Sequence, residues 1–229
     1  MTNVNFVLRG KDLRVILAAT PFTATPDRNI PALENVVLVA TTTEDTRSVA
    51  VVATDSFTLF HSELPAFTPV YIDSTGVETE EILLGPEFIS MVKSVVKTKR
   101  DELREFTLDA DTYAHTWTLT SDNGDEHTGP LGDVGGRSYP PLKTLLKLFK
   151  DKDKTLFPVA RAFNPELLAR LHKSDTLAKT DKTERVWAMG TTEPDNPRSA
   201  VTFASRWARV LLMPIRSYGS FSGYSLGEL

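Results

Sequence analysis

The chain has 229 residues, a formal net charge of −4 at pH 7 and no cysteine. The lack of cysteine excludes disulfides, zinc fingers, iron–sulfur clusters and cysteine nucleophiles. Hydrophobic residues make up 41% and charged residues 24%, which is typical of a soluble globular protein with a sizeable core. The net negative charge does not favour attraction of the whole molecule to nucleic acid, although local basic clusters can still provide it.

The sequence does not predict a targeting or membrane-spanning segment. A charged residue occurs by position 9, and no apolar stretch reaches the roughly 18 residues of a membrane-spanning helix. We therefore expect a cytoplasmic protein, in the host cytoplasm if the source is a virus.

The first predicted elements are a strand, a helix and three strands. Alternation predicts a strand at residues 4–8, and Leu13, Ile16 and Leu17 share one face of a predicted helix at residues 11–19. Three prolines after this helix prevent it from continuing and predict a loop at residues 21–33. Apolar and β-branched runs then predict strands at residues 36–42, 48–54 and 58–64.

The same order of elements occurs a second time after a connection at residues 65–76. A strand is predicted at residues 81–84, and Pro86 at the first helical position begins a helix that runs to residue 97. The following strands are predicted at residues 103–108 and 114–120, with a weaker one before Gly129. We interpret the two β-α-β-β-β units as a structural repeat.

A third unit of this kind follows a glycine-rich stretch. A short helix is predicted at residues 142–149, a strand at residues 156–162, and a helix at residues 165–173 that Asn164 caps. The last predicted strands lie at residues 185–189, 200–204 and 208–213.

This pattern predicts two domains and a tail. The two complete units form one domain at residues 1–138, and the third unit forms a reduced second domain at residues 139–217. Residues 218–229 are rich in Ser and Gly with isolated aromatic residues, which is typical of a flexible tail.

Three stretches in this chain resemble the bacterial-type DNA sliding clamp, the polymerase III β subunit family, in a shortened form. They are VVATDSFTLF, YPPLKTLL and VLLMPIRS, and the family has an ATDG(H)RL turn, an (F/Y)PDYxxVLP linker and a VxPMR strand in the same chain order. The matching residues are Ala53, Thr54, Asp55 and Leu59 in the turn, Tyr139, Pro140 and Leu145 in the linker, and Met213, Pro214, Ile215 and Arg216 in the strand.

Two of these stretches depart from the family pattern. Ser56, Phe57 and Thr58 replace the family's usual Gly-His-Arg, and Pro141 and Leu142 replace Asp-Tyr. The first change removes a basic contact beside the family's peptide pocket. The pocket of this chain can therefore prefer a different peptide from the one that the family binds. The chain is also too short for the three domains of the bacterial protein.

The resemblance implies an α+β DNA-clamp fold, with helices on one face of antiparallel sheets, and a hydrophobic pocket that receives a peptide from polymerases and clamp loaders. Without the family, the same residues are ordinary core or strand-end packing. An apolar cleft with prolines and a pliable methionine suits an extended peptide. The pocket residues carried over are Thr54, Leu59, Pro140, Leu145, Leu211, Met213, Pro214 and Ile215, with Arg216 at the rim.

Basic residues lie on the polar sides of the predicted helices. By itself this pattern indicates a solvated face. In clamps the helices surround duplex DNA, so the resemblance implies contacts with phosphates that do not read the sequence. The residues predicted to face DNA are Lys11, Arg14, Lys93, Lys97, Lys143, Lys147, Arg170 and Lys173.

Known catalytic and metal-binding patterns are missing from the sequence. The histidines show no HxxxH or HxH spacing, and there is no Walker loop, GxSxG or GxGxxG. The DNGDE stretch at residues 122–126 resembles part of a calcium loop but lies between two predicted strands, so a hairpin turn is predicted. We expect no enzyme activity, cofactor or metal.

The resemblance implies a processivity clamp, a closed ring that encircles duplex DNA and tethers a polymerase through the pocket. Family rings have twelve helices around the hole, and four predicted helices per chain favour a head-to-tail homotrimer. If the segment at residues 142–149 is not such a helix, a tetramer or a dimer competes. The alternative function is a clamp-fold adaptor or decoy that binds clamp partners without encircling DNA.

Overall fold

The computed structural model describes residues 3–26, 30–42, 47–65, 70–72, 78–135, 139–142, 165–179, 187–191 and 200–213. Its strands are β1 (Asn3–Arg9), β2 (Val36–Thr42), β3 (Arg47–Thr54), β4 (Thr58–Glu63), β5 (Val70–Ile72), β6 (Glu78–Leu84), β7 (Glu105–Asp111), β8 (Thr116–Ser121), β9 (Glu126–Pro130), β10 (Ala188–Gly190), β11 (Val201–Ala204) and β12 (Arg209–Leu212). Its α-helices are α1 (Gly10–Ala19), α2 (Pro86–Val95) and α3 (Pro165–Ala178).

These strands form two antiparallel sheets. The five-stranded sheet has the order β5-β1-β7-β8-β9, and the seven-stranded sheet has the order β10-β11-β12-β4-β3-β2-β6. The predicted α+β class, with antiparallel sheets and few helices, is confirmed.

The repeat exchanges its first strands between the two sheets. Strand β1 of the first unit pairs with β7 of the second, whereas β6 of the second pairs with β2 of the first. In the β1–β7 pair, Phe6 lies opposite Leu108 and Leu8 lies opposite Phe106, and all four side chains are buried. Each unit therefore completes the sheet of the other, so neither forms its full sheet alone.

One apolar core joins the inner faces of both sheets to the helices. The predicted stripe of Leu13, Ile16 and Leu17 on α1 is buried in it, because these residues recur at the spacing of one helix face. Helix α3 packs on α1, where the buried hydroxyl of Ser174 donates a 2.7 Å hydrogen bond to the carbonyl oxygen of Ala18. The helices lie on the inner side of the seven-stranded sheet, and α1 and α2 also contact strands of the five-stranded sheet. We call α1, α2 and α3 the helix layer.

The elements of the third unit extend the sheet of the first. Strand β12 pairs with β4, with Leu211 opposite Leu59 and Val210 opposite Phe60. The sheet therefore runs without a break from β6 to β10. The division into domains at residue 138 stays a prediction.

The structure changes several predicted boundaries. Helix α3 continues to Ala178, and α2 ends at Val95. The connection predicted at residues 65–76 contains the short strand β5. Apart from Leu142, the helix predicted at residues 142–149 lies outside the described residues, as do the strand at 156–162 and the tail at 218–229.

Candidate functional site

The face of the seven-stranded sheet that points away from the helices carries a second apolar cluster, which we call the outer-face cluster. It forms because alternate side chains of a strand point to opposite faces: Leu38 enters the core, whereas its neighbours Val37 and Val39 enter the outer-face cluster. The buried members of this cluster are Ala24, Ala32, Leu33, Val37, Val39, Val52, Leu59, Tyr139, Leu142 and Leu211.

This cluster brings the three stretches of the sequence together. Leu59 follows the turn of the first stretch, Tyr139 and Leu142 belong to the second, and Leu211 belongs to the third. The contact between Leu59 and Leu211 follows from the pairing of β4 with β12, whereas residues 139–142 reach the cluster as a short connecting segment. Three stretches that are far apart in the chain therefore meet at one place.

The turn between β3 and β4 is built around Asp55. One oxygen of its carboxylate accepts hydrogen bonds from the backbone amides of Phe57 (3.0 Å) and Thr58 (2.8 Å) and from the hydroxyl of Thr58 (2.7 Å). Thr54 closes the turn by donating from its hydroxyl to the carbonyl oxygen of Thr58 at 2.6 Å. These bonds satisfy backbone groups of the turn.

Ser56 adopts a left-handed backbone conformation in this turn, with φ of 78°. This is the position at which the family pattern has glycine, the residue that adopts positive φ most readily. The turn therefore keeps the conformation of a glycine turn at some conformational cost. Its next residue, Phe57, extends outward and is 52% exposed.

The second oxygen of the Asp55 carboxylate binds Arg170 of α3. A guanidinium nitrogen of Arg170 lies 2.7 Å from it, and Asp55 is 1% exposed. Burial alone would raise the pKa of Asp55, but the hydrogen bonds from Arg170 and Thr58 and the charge of Arg170 outweigh burial and hold this pKa below its ordinary value. Asp55 is therefore ionised at neutral pH and ties the turn to the helix layer.

Phe57 and Met213 are two exposed apolar side chains beside the cluster. The backbone amide of Met213 donates a 2.9 Å hydrogen bond to the carbonyl oxygen of Phe57, and Met213 is 42% exposed. Leu59 and Leu211 are only 3% and 7% exposed. We call Phe57 and Met213 the apolar rim, because both present accessible apolar surface at the edge of the buried cluster.

Tyr139 anchors the connecting segment to this face. Burial, with a contribution from the charge of Glu81, raises the pKa of its phenol, so the side chain is neutral. Its buried hydroxyl meets no hydrogen-bond partner of ordinary geometry among the described residues, although the nearby Thr54 backbone opposes the rise in pKa slightly. Tyr139 therefore acts at this site through its apolar ring.

The predicted pocket residues differ in their exposure. Thr54, Leu59 and Leu211 are buried, Pro140 is half-buried, and Met213 is exposed. Leu145, Pro214, Ile215 and Arg216 lie outside the described residues. The pocket predicted from sequence does not include Phe57 and Leu142, which stand where the family pattern has other residues, or Tyr139, which matches the family's linker.

The predicted DNA-facing residues also divide. Lys11, Lys93, Lys97 and Lys173 are exposed on the helix layer, and Lys143 and Lys147 lie outside the described residues. Arg14 does not fit the expected open helix face, because it is 5% exposed. Its side chain pairs with Glu102 at 2.9 Å and donates to the carbonyl oxygen of Thr98 at 3.1 Å, so Arg14 has a structural role in the core of the helix layer.

Three of the predicted basic residues line one open groove. The groove has a volume of about 470 Å³ and lies between α2 and α3 at the C-terminal end of α1. Lys93 of α2 faces Arg170 and Lys173 of α3 across it. The charge of Arg170 is paired with Asp55, whereas Lys93 and Lys173 form no ion pair within the part of the chain that the structure describes. Glu34 is the acidic residue of the lining. We call this groove the helix-layer groove.

The DNGDE stretch forms a hairpin turn, as predicted. It connects β8 to β9, and Gly124 in it has a positive φ of 86°. Within the described ranges, no group of three or more His, Asp or Glu residues is arranged to hold a metal ion. None of the helices in the described part of the chain is long and apolar enough to span a membrane.

Solved structures of bacterial sliding clamps have a similar fold. The Helicobacter pylori β clamp aligns with a TM-score of 0.63 and 12% identity over 93% of this chain and 66% of that chain. The polymerase III β subunit of Thermotoga maritima aligns with a TM-score of 0.60 and 15% identity, over 93% of this chain and 66% of that chain. The sliding clamp of Pseudomonas aeruginosa aligns with a TM-score of 0.55 and 13% identity, over 93% of this chain and 67% of that chain. This chain thus spans about two thirds of the length of those clamps.

The likeness is one of structure, since the identities lie between 11% and 16%. No protein-family model matches the sequence, and no curated protein matches it. The alignments nevertheless extend over almost the whole chain, and the resemblance inferred from the three stretches agrees with them. The chain therefore has the fold of the bacterial DNA polymerase sliding clamps.

Proposed function

We propose that this protein is a DNA sliding clamp, a ring-shaped processivity factor that encircles duplex DNA and tethers the replicative polymerase. The observation that carries this proposal is the division of the seven-stranded sheet into two working faces. One face supports the helix layer with its exposed lysines, and the other supports the outer-face cluster with the apolar rim. A clamp needs this division, because DNA and polymerase must bind on different sides of its wall.

The helix layer is the surface proposed to meet DNA. Lys93 and Lys97 lie one turn apart, at the end of α2 and just beyond it, and Lys173 faces Lys93 across the helix-layer groove. Flexible ammonium groups contact phosphates without reading base edges, which suits a protein that moves along DNA of any sequence. The positive charge is local, so it is consistent with a net charge of −4 for the whole chain.

The apolar rim is the proposed docking point for peptides of the polymerase and the clamp loader. Phe57 and Met213 are held side by side by the backbone hydrogen bond between them, and the buried cluster supports them from below. Apolar side chains on a fixed base can bury a leucine or an aromatic residue of an extended peptide at little entropic cost. Phe57 replaces a basic residue of the family pattern, so the bound peptide is expected to be more apolar at that position.

The assembly proposed for this clamp is a head-to-tail homotrimer. It rests on a fourth helix at residues 142–149, in addition to α1, α2 and α3, so that three chains supply twelve helices. Native mass spectrometry tests it: we expect a mass of three chains of 25.4 kDa each. The mass of a dimer or a tetramer would contradict the trimer, and a monomer at micromolar concentration would contradict the ring.

A second function is favoured by one observation, namely that the chain spans only about two thirds of the length of the bacterial clamps. In this alternative the protein is a clamp-fold adaptor or decoy that binds clamp partners through the apolar rim and does not encircle DNA. Dependence on DNA topology separates the two functions, because only a ring is released when circular DNA is cut.

A further inference from the structure

A second groove, at the N-terminal end of α1, is lined by five basic side chains, whereas the helix-layer groove is lined by three. It is open to solvent and has a volume of about 460 Å³. Its walls come from the start of α1, the end of β4, the turn after α2, the end of α3 and the turn between β11 and β12. We call it the basic groove, and its basic side chains are Lys11, Lys99, Lys179, Arg206 and Arg209.

The acidic side chains of this groove do not cancel its charge. Asp12 is 3% exposed and accepts a 2.8 Å hydrogen bond from the Arg9 amide at the start of α1. Glu102 is paired with Arg14, which lies outside the lining. Glu63 is the exposed carboxylate in the groove. The five basic groups therefore exceed the acidic ones, so the groove attracts anions.

His61 does not add to this charge at neutral pH. Burial lowers the pKa of its imidazole, with Glu63 opposing the change and Arg209 adding to it. The charge that an anion meets in the groove therefore comes from its lysine and arginine side chains.

The cations on opposite walls are available for a ligand. Among the described residues, the side chains of Lys99, Arg206 and Arg209 form no ion pair or hydrogen bond, and all three are exposed. Lys179 uses one of its donors on the carbonyl oxygen of Lys97 at 2.9 Å, and an ammonium group keeps two more. A ligand can thus contact both walls.

The turn that presents Arg206 is held in place by hydrogen bonds. The amide of Ser205 donates to the carbonyl oxygen of Ala208 at 2.9 Å, and the amide of Ala208 donates to the Ser205 hydroxyl at 3.1 Å. The buried hydroxyl of Ser62 donates to the carbonyl oxygen of Trp207 at 2.5 Å. Arg206 is therefore fixed at its backbone, which reduces the entropy that binding must remove.

An aromatic side chain lies among these cations. Trp207 lines the groove and is half-buried, with its ring 5.9 Å from the rings of both Phe60 and Trp187. Cationic side chains interleaved with a supported aromatic ring are typical of sites for single-stranded nucleic acid, where phosphates meet the charges and a base meets the ring. An acidic peptide would use the charges but gain nothing from the ring.

We propose that the basic groove binds single-stranded nucleic acid, with phosphates on Lys99, Arg206 and Arg209 and a base against Trp207. This site lies at the opposite end of α1 from the helix-layer groove, and its existence does not require a ring. It gives the protein a second nucleic-acid contact that the three family stretches do not include.

The test measures binding of a fluorescein-labelled oligothymidine to the full chain by anisotropy, together with quenching of tryptophan fluorescence. We expect the logarithm of the binding constant to fall linearly with the logarithm of the salt concentration, with a slope of roughly −0.7 for each phosphate contact. Changing Arg206→Glu with Arg209→Glu should weaken it at least tenfold. Arg100→Glu is the control, because Arg100 is exposed on the same turn as Lys99 but lies outside the groove, and it should change affinity less than twofold.

Two further variants keep the result interpretable. Lys99→Gln, on the opposite wall, should weaken binding severalfold with no change in melting temperature. Trp207→Phe should remove most of the quenching. Equal loss in the Arg100 control, equal binding of a glutamate peptide of the same length, or no binding of the oligonucleotide at low salt would each overturn the proposal. Duplex retention that falls in Lys93 and Lys97 variants but is kept in the Arg206 and Arg209 variant would show that the two sites are separate.

Discussion

Arg170 of α3 donates a 2.7 Å hydrogen bond to the buried carboxylate of Asp55, 115 positions earlier in the chain. Asp55 also accepts three hydrogen bonds from its own turn. The turn that presents Phe57 is therefore connected directly to the helix layer that carries the lysines. The Arg170–Asp55 ion pair thus connects the proposed peptide-docking surface on one face of the sheet to the helices on the other face.

Removal of the guanidinium should destabilise the protein more than removal of an exposed charge. In Arg170→Met the Asp55 carboxylate stays buried without its cation, which we expect to lower the free energy of unfolding by about 2 kcal/mol, since Arg170 is partly exposed. Lys173→Met, three residues further along the same helix, is the matched control and should change stability by less than about 0.5 kcal/mol. Urea denaturation measures both, and equal effects would show that the ion pair contributes nothing.

The same pair should make stability depend on acid. Because the pKa of Asp55 is lower in the folded state than its ordinary value near 3.8, ionised Asp55 stabilises the fold at neutral pH, and this stabilisation is lost as the pH falls through the folded pKa. The difference in unfolding free energy between the wild type and Asp55→Asn should be constant from about pH 7 to 5 and shrink below about pH 4. A difference that does not change with pH would contradict the assigned charge state.

The apolar rim makes a prediction about peptide binding. Phe57→Ala with Met213→Ala should weaken binding of a leucine- and phenylalanine-containing clamp peptide at least tenfold, a loss of about 1.4 kcal/mol, because the accessible apolar surface is removed. Leu59 is not a suitable probe, since it is 3% exposed and its truncation would open a cavity in the buried cluster.

The control for this experiment is Leu103→Ala with Tyr113→Ala. These side chains are 84% and 73% exposed and lie away from the outer-face cluster, so the control removes similar apolar surface elsewhere. Fluorescence anisotropy should report unchanged peptide affinity for it. If the rim variant keeps full affinity, the peptide site lies elsewhere.

The lysines at the end of α2 should contribute to retention on duplex DNA. Lys93→Gln with Lys97→Gln removes two positive charges from each chain, so retention should fall and the salt dependence of binding should become less steep, by about 0.9 in slope for each phosphate that no longer meets a lysine. The control is Thr116→Glu with Thr128→Glu, which lowers the net charge by the same amount at exposed positions of β8 and β9. An equal fall in retention for both variants would mean that net charge, and not the helix layer, governs retention.

The order of elements was predictable from sequence because hydrophobic periodicity reports which residues share a face. The exchange of β1 and β6 between the two units was not, because periodicity contains no information on which strand is the neighbour. Strand β5 was missed because its three residues lie in a connection that begins with proline. Local patterns thus defined the units but not their pairing.

The charged residues also show that local patterns do not reveal which distant residues become neighbours in the fold. Arg14 and Arg170 occupy polar positions of their helices, so the sequence assigned both to an open face. Their partners, Glu102 and Asp55, are 88 and 115 positions away, and only the fold brings them within reach. The side chains of Lys93 and Lys97 have no such partner among the described residues, and their exposed placement agrees with the pattern.

Topological retention on DNA tests the clamp proposal most directly. The assembly is dissociated by dilution and reassembled in the presence of nicked circular duplex DNA, so that no loader is required, and DNA-bound protein is then separated by gel filtration. The proposal predicts that the protein stays bound to the circle at a salt concentration that abolishes simple electrostatic binding, and that a single cut in the DNA releases it. Equal binding to circular and linear DNA would contradict the ring and favour the adaptor.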